Sequence, residues 1–351
     1  MNGGRISHAA RAQPRDGALK DAGADARAPA GCYVAPRWLP GGHAQTIWPF
    51  LLRPTRVAIR REAVGSPDGD LWHFHWLDAP AVDAPLVVVF HGLEGGSASH
   101  YVRAIFAALA TRGWRGVVPH FRGCAGENRR PRAYHSGDHE EIGALLDAVA
   151  VRAGPPSTTF ACGISLGGSA LLNWLGREGA SAARRVSRAA AVSAPLDLMA
   201  AGDAIDRGAN RVYARHFLAT MKPKALAMAA RFPGLLDARS VARVATLRDF
   251  DELVTAPLHG FAGTDDYWTR ASSKPWLRGV GVPTLVLNAR NDPFVPARSL
   301  PAPREVGPWV ELEQPAAGGH VGFLTGPPPG RLDWLPQRLL RFFDGAICPS
   351  C

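Results

Sequence analysis

Ser165 stands at the centre of Gly163-Ile164-Ser165-Leu166-Gly167, between an apolar strand-like run (Thr158 to Cys162) and a helix-like run (Ser169 to Leu175). A strand, a tight turn and a helix with serine at the apex form a nucleophile elbow. Such a turn strains the serine backbone and lifts its hydroxyl above a sheet. Strand and helix approach closely around it, and glycine at 163 and 167 removes the collision that side chains would make. Serine is a poor nucleophile at neutral pH without a base in hydrogen-bond reach and a third group to orient that base. Asp292, in Leu287-Asn288-Ala289-Arg290-Asn291-Asp292-Pro293, is the acid candidate, and His320, in Gly318-Gly319-His320-Val321-Gly322-Phe323, the base candidate. Together they predict acyl transfer through a covalent acyl-serine. Its oxyanion needs backbone N–H donors. Leu166, after the nucleophile, is one; Leu93, in His91-Gly92-Leu93-Glu94-Gly95-Gly96, is the other.

Competing residues are weaker by position. Asp265 and Asp266 follow no strand. His91, His120, His135 and His259 lie outside the last strand–helix loop, and the His91 side chain reads as structural. No metal-ligand spacing occurs, and no Gly-rich loop precedes a phosphate-binding Lys. No metal and no cofactor are expected.

The elements that must position these residues are legible as apolar runs. Arg56 to Arg61 and Leu71 to Leu77 read as strands around the turn Pro67-Asp68-Gly69-Asp70. Leu86 to Phe90, Ala189 to Val192 and Thr284 to Leu287 are continuous apolar runs, as in strands buried on both faces. Gly116 to Pro119 and Trp309 to Leu312 complete the strands. Tyr101 to Ala110, Glu140 to Arg152 and Arg331 to Phe343 have helical spacing. Strands alternating with helices imply a mainly parallel sheet with right-handed crossovers. Asp292 then follows the end of a buried strand, where parallel sheets place functional groups. About ninety residues between Val192 and Thr284 contain no clear strand, which is more than a loop.

The chain has 351 residues, 46% of them hydrophobic, and a formal net charge of +10. That size suits one large α/β domain with an insertion. The excess charge is mostly Arg spread along the chain, with no nucleic-acid-binding motif; a weak contact with anionic membranes is the alternative use of that charge. Five cysteines at 32, 124, 162, 348 and 351 form an odd, sparse set. The set argues against a disulfide framework and suits a reducing cytoplasm. Cys348-Pro-Ser-Cys351 lacks the further ligands of a zinc site. Residues 1–30 have no apolar h-region and read as a disordered extension. No stretch approaches the roughly 20 apolar residues of a membrane span.

Eight blocks in order resemble the YheT-like branch of the α/β-hydrolase superfamily, related to the abhydrolase-domain lipases and the plant embryogenesis-associated proteins. They are Gly42-His43-Ala44-Gln45-Thr46, His91-Gly92-Leu93-Glu94-Gly95, His120-Phe121-Arg122-Gly123-Cys124, Tyr134-His135-Ser136-Gly137, the elbow through Gly168, Phe250-Asp251, Asp292-Pro293-Phe294 and Gly318 to Phe323. The similarity spans about Pro36 to Phe343. It implies an α/β-hydrolase fold, with a mostly parallel twisted sheet flanked by helices and a helical cap inserted after the sixth core strand. The expected divisions are core 31–198, cap 199–276, core 277–345 and tail 346–351. The resemblance further implies a carboxylic-ester hydrolase with the triad Ser165, Asp292 and His320, acting on a small ester that is acylglycerol-like if it follows the animal relatives; a short to medium acyl chain is the expectation from the apolar residues of the cap. An acyltransferase or thioesterase would use the same triad, and an inactive binding homologue is the reading from another class. Met199, Tyr213, Phe217, Leu218, Met221, Leu226, Met228 and Phe232 are candidates to line an acyl pocket, with ordinary helix packing as the alternative. His43, Gln45 and Arg122 read as structural, with Arg122 expected to pair with Glu127 or Asp138.

Overall fold

The computed structural model describes residue 1 and residues 32–345, apart from 53, 55 and 155–157. The expectations for the N-terminal extension and the Cys-Pro-Ser-Cys tail fall outside these residues.

Eight strands form one sheet: β1 (Arg60–Gly65), β2 (Leu71–Leu77), β3 (Leu86–Phe90), β4 (Arg115–His120), β5 (Thr159–Ile164), β6 (Arg188–Val192), β7 (Thr284–Leu287) and β8 (Val310–Glu313). Their order is β1-β2-β4-β3-β5-β6-β7-β8. β2 runs antiparallel to β1 and β4, and all other pairs are parallel. α1 (Gly42–Leu51) precedes the sheet, α2 (His100–Arg112), α3 (His139–Ala153) and α4 (Leu166–Glu178) are crossovers, and a helical segment separates β6 from β7. That segment comprises α5 (Leu198–Ile205), α6 (Arg211–Arg231), α7 (Ala238–Arg243), α8 (Leu247–Phe250), a π-helical turn (Asp251–Thr255), α9 (Ala256–Leu258) and α10 (Thr264–Ala271). α11 (Trp334–Phe343) closes the chain.

The continuous apolar runs are explained by two cores, one on each face of the sheet. Val88, Phe90, Ala161, Ala189, Ala191 and Val286 pack with Leu145 of α3 and Leu171 of α4. Their neighbours Val87, Val89, Cys162, Ala190, Val192 and Leu285 pack with Ile105 of α2 and Leu339 of α11. Successive side chains point to opposite faces, so a strand covered on both needs apolar residues throughout. Each buried Val or Leu contributes about 1.5–3 kcal/mol, so the register of these strands is strongly held. The helical segment has its own small core of Leu218, Ala225, Val241, Val244, Phe250 and Val254.

The structure departs from the sequence reading at several points. β1 begins four residues later than Arg56, because the hairpin turn at Ser66–Asp70 sets its register, pairing Gly65 with Leu71; Val57 and Ile59 pack against the second core instead. α1 was not anticipated; it carries Pro49 in its last turn, where the ring disturbs little of the helix. Arg122 pairs with Asp68, Asp70 and Glu141 rather than Glu127 or Asp138, because the hairpin brings Asp68 and Asp70 beside the end of β4. Cys124 and Cys162 are free thiols. Cys32 is disulfide-bonded, although the odd, sparse set of cysteines argues against a disulfide framework; pairing depends on spatial proximity, which sequence spacing does not report.

Candidate active site

Sheet register brings the candidate residues to one edge. Phe90 pairs with Gly163, Ile164 with Val192, Val192 with Leu287, and Leu287 with Glu313. The residues after these strand ends therefore emerge side by side at the carboxyl edge, where open parallel sheets hold ligands. Ser165 turns the chain from β5 into α4 with φ 54° and ψ −122°, a conformation that costs about 1–3 kcal/mol for a residue with a Cβ. The turn tolerates no side chain at its base. A Cβ on Gly163 would lie 2.5 Å from the Gly167 carbonyl oxygen, and one on Gly167 would lie 2.5 Å from the carbonyl oxygens of Phe90 and His91.

His320 Nε2 lies 2.9 Å from Ser165 Oγ, and His320 Nδ1 lies 2.8 Å from Asp292 Oδ2. A carboxylate on Nδ1 makes that nitrogen the N–H donor, leaving the Nε2 lone pair facing the serine hydroxyl. Asp292 is buried and its Oδ1 accepts the backbone N–H groups of Phe294 (2.7 Å) and Val295 (3.3 Å), which fix its orientation. The structure thus brings Ser165, Asp292 and His320 into one hydrogen-bonded line.

The His320 loop is held by residues far away in sequence. The His320 N–H donates to Thr46 Oγ1 at 2.9 Å, Gly318 N–H to Gln45 Oε1 at 2.9 Å, Gly319 N–H to Asn291 Oδ1 at 3.0 Å, and Val321 N–H to Ser193 Oγ at 3.1 Å. Gln45 therefore braces the edge of the site, while His43 stacks on Tyr213 of α6. Thr46, Asn291 and Ser193 carry no catalytic signature in the sequence; the Gly42–Thr46 block was their nearest signal. Farther out, buried Arg338 of α11 donates to Glu313 at 2.7 Å, tying the two elements that flank the loop.

Leu166 opens α4, where an N–H has no intrahelical acceptor and the helix dipole favours negative charge. The loop after β3 lies against Ser165: a Cβ on Gly92 would sit 3.1 Å from the serine Cβ. On either side of Leu93, the Gly92 N–H donates to Tyr101 Oη (2.9 Å) and the Glu94 N–H to Tyr134 Oη (2.8 Å). Those two bonds clamp the loop and leave the Leu93 peptide between them.

The competing residues are engaged elsewhere. His91 is fully buried, with Nε2 accepting the Phe121 N–H at 3.1 Å and Nδ1 2.8 Å from the Gly92 carbonyl. Burial lowers its pKa to about 4, and that of His120 to about 2, where His91 and His75 nearby add to the effect. His135 and His259 pack together and burial lowers both to about 3. Asp265 and Asp266 lie on α10, paired with Arg248 and Arg270.

A cavity of about 190 Å³ opens on Ser165, Leu166, Leu93 and His320 and runs under the helical segment. Of the apolar candidates, Phe217, Met221 and Met228 line it. Leu218 and Leu226 pack into the segment's own core, and Tyr213 packs against Phe294. Among the described residues there is no cluster with the makings of a metal site, and no helix long and apolar enough to cross a membrane.

Residues 85–327 match the family model described as alpha/beta hydrolase fold. The chain is 37% identical to YheT of Escherichia coli (strain K12) over 88% of its own length and 91% of that protein. It is 30% identical to Phospholipase ABHD3 of Mus musculus, over 90% of this chain and 79% of that one. Among solved structures, the Pyrococcus furiosus esterase Pf2001 superposes with a TM-score of 0.51 at 15% identity, over 84% of this chain and 97% of the other.

Proposed function

The chain belongs to the alpha/beta hydrolase fold family, in its YheT-like branch, and from that premise we infer that it hydrolyses carboxylic esters through an acyl-serine at Ser165. The observation that carries this reading is the line from Asp292 Oδ2 to His320 Nδ1 (2.8 Å) and from His320 Nε2 to Ser165 Oγ (2.9 Å), at the floor of the cavity. His320 takes the serine proton as Oγ bonds to the ester carbon. The carbonyl oxygen becomes an oxyanion held by the Leu93 and Leu166 N–H groups, each worth roughly 3 kcal/mol of transition-state stabilisation. Collapse breaks the bond to the alcohol oxygen, and His320 returns the proton to it. Water then enters, gives its proton to His320, and releases the acid by the same route. Asp292 keeps the imidazole in the required tautomer and stabilises its charged form.

The segment 199–276 acts as a cap, and the cavity beneath it takes a short to medium acyl chain. Fluorophosphonate labelling with peptide mass mapping tests the nucleophile: the adduct is expected on Ser165. A Ser165→Ala protein that still turned over nitrophenyl butyrate at the wild-type rate would overturn the reading. A chain-length series peaking at acetate would overturn the acyl assignment of the cavity alone.

A further inference from the structure

The cavity above Ser165 is walled mainly by hydrocarbon, including Leu198, Ile205, Phe217, Met221 and Val254. Most of its charged lining is already paired. Lys224 binds Glu94 at 2.7 Å, and Arg122 is enclosed by Asp70 and Glu141. Three other polar groups face the cavity where the helical segment meets the core, and they are not fully engaged.

Asp251 begins the π-helical turn; such turns are frequent at functional sites. Its Oδ2 accepts from Trp268 Nε1 (2.7 Å) and its Oδ1 from Thr255 Oγ1 (2.6 Å). Each carboxylate oxygen has two lone pairs, so both can accept again. Burial raises the Asp251 pKa to about 6, as expected for an acid in an apolar wall. Ser136 is buried, and its Oγ has no hydrogen-bond partner among the described residues. Tyr267 Oη accepts the Ser136 N–H at 3.1 Å, which leaves its own hydrogen to donate. Tyr267 and Trp268 are adjacent on α10, so one helix links all three groups.

We propose that Asp251, Ser136 and Tyr267 form a polar subsite that recognises a hydroxyl group on the substrate, so that the enzyme selects hydroxylated esters over hydrocarbon esters of the same size. A hydroxyl can donate to Asp251 and accept from Ser136 or Tyr267 at once. An anion would face the Asp251 carboxylate, a cation offers no acceptor to the two hydroxyls, and a hydrocarbon leaves the Ser136 hydroxyl desolvated with no partner and the remaining capacity of Asp251 and Tyr267 unused, a costly state. The proposal rests on the reading of Ser165 as an esterase nucleophile.

The test uses matched esters in two arms. Nitrophenyl alkanoates from butanoate to octanoate, with and without a terminal hydroxyl, place the group on the acyl side. Ethyl and 2-hydroxyethyl alkanoates, followed by acid release, place it on the alcohol side. In one arm the wild type is expected to favour the hydroxylated ester by about tenfold or more in kcat/KM. Asp251→Asn and Ser136→Ala should lower that ratio by about tenfold, chiefly by weakening the hydroxylated ester, with the fluorophosphonate adduct still forming on Ser165. Equal constants in both arms, or variants that lower both members of a pair in parallel, would overturn the subsite. Calorimetry on Ser165→Ala protein with hexanoate against 6-hydroxyhexanoate, and with the two alcohols, reads the subsite without turnover. A hydroxyl preference in binding with no ester cleavage by the wild type would sink the serine reading alone. Cleavage without any hydroxyl preference would sink the subsite alone.

Discussion

Histidines lie at the carboxyl edge of the sheet on both sides of the strand that leads to Ser165, one beyond β8 and two at β3 and β4. His320 follows β8 and has a carboxylate on one nitrogen and the serine on the other. His91 and His120, at the ends of β3 and β4, are more deeply buried and have no carboxylate on a ring nitrogen. His91 has both ring nitrogens taken up by backbone groups, and His120 Nε2 lies 3.1 Å from His75 Nδ1. Proximity to the serine strand therefore does not make a base. What distinguishes His320 is a fixed anion that sets its tautomer and would offset the charge it takes up as the proposed base. On the other side, desolvation without an anion holds the rings neutral, suited to propping the oxyanion loop.

The comparison would break if the two sides responded alike to mutation. The largest expected effect is on turnover. Ser165→Ala and His320→Ala should lower kcat for nitrophenyl butyrate by about four orders of magnitude or more, and Asp292→Asn by about three to four. His91→Leu should keep the fluorophosphonate adduct on Ser165; losing it would place His91 in the chemistry. Next in size is stability. His91→Leu leaves the buried Phe121 N–H without an acceptor, expected to cost about 1–3 kcal/mol, read as a fall in Tm of roughly 2–4 °C for each kcal/mol.

The pH dependence of stability sharpens the contrast further. His91, His120, His135 and His259 have pKa values lowered by burial to about 4, 2, 3 and 3. The unfolded chain takes up their protons below pH 6.5 while the fold does not, so stability is present above that pH and is lost as pH falls. Each group adds a slope of up to about 1.4 kcal/mol per pH unit. Tm measured from pH 7.5 to 5 should drop, and His120→Gln should flatten the drop. Asp251 has the opposite sign. Its folded pKa of about 6 lies above its unfolded one, so its charge weakens the fold above pH 6 and that penalty fades on acidification. Asp251→Asn should raise Tm at pH 8 by a few degrees and by less at pH 5; an equal gain at both would mean the carboxylate carries no burial cost. The smallest effect belongs to the half-exposed Lys224–Glu94 pair, where Lys224→Met should cost under about 1 kcal/mol, seen in melts at low and high salt.

Much of the architecture was legible because its signals are local. Continuous apolar runs marked β3, β6 and β7, and a serine between glycines marked the elbow. The order of serine, acid and histidine along the chain brought out Asp292 and His320. Residues that act through long-range contact were not legible in this way. Thr46 and Ser193 hold the His320 loop from 274 and 128 residues away; the Gly42–Thr46 block marked the first without showing its partner, and nothing beside Ser193 marked the second. α1 was not read from the sequence at all, and the partners of Arg122 were hidden by a hairpin that only pairing registers bring close.

By itself, then, the chain determined its strands, its elbow and the residue types able to run acyl-serine chemistry, since periodicity, turn sterics and side-chain chemistry act over a few residues. Tertiary structure alone decided which nitrogen of His320 faces Ser165, which histidines stay neutral, and which polar groups of the helical segment look into the cavity. Those outcomes depend on desolvation and on hydrogen-bond partners that arrive from distant parts of the chain, and such forces exist only once the sheet has closed and the helices have packed over it.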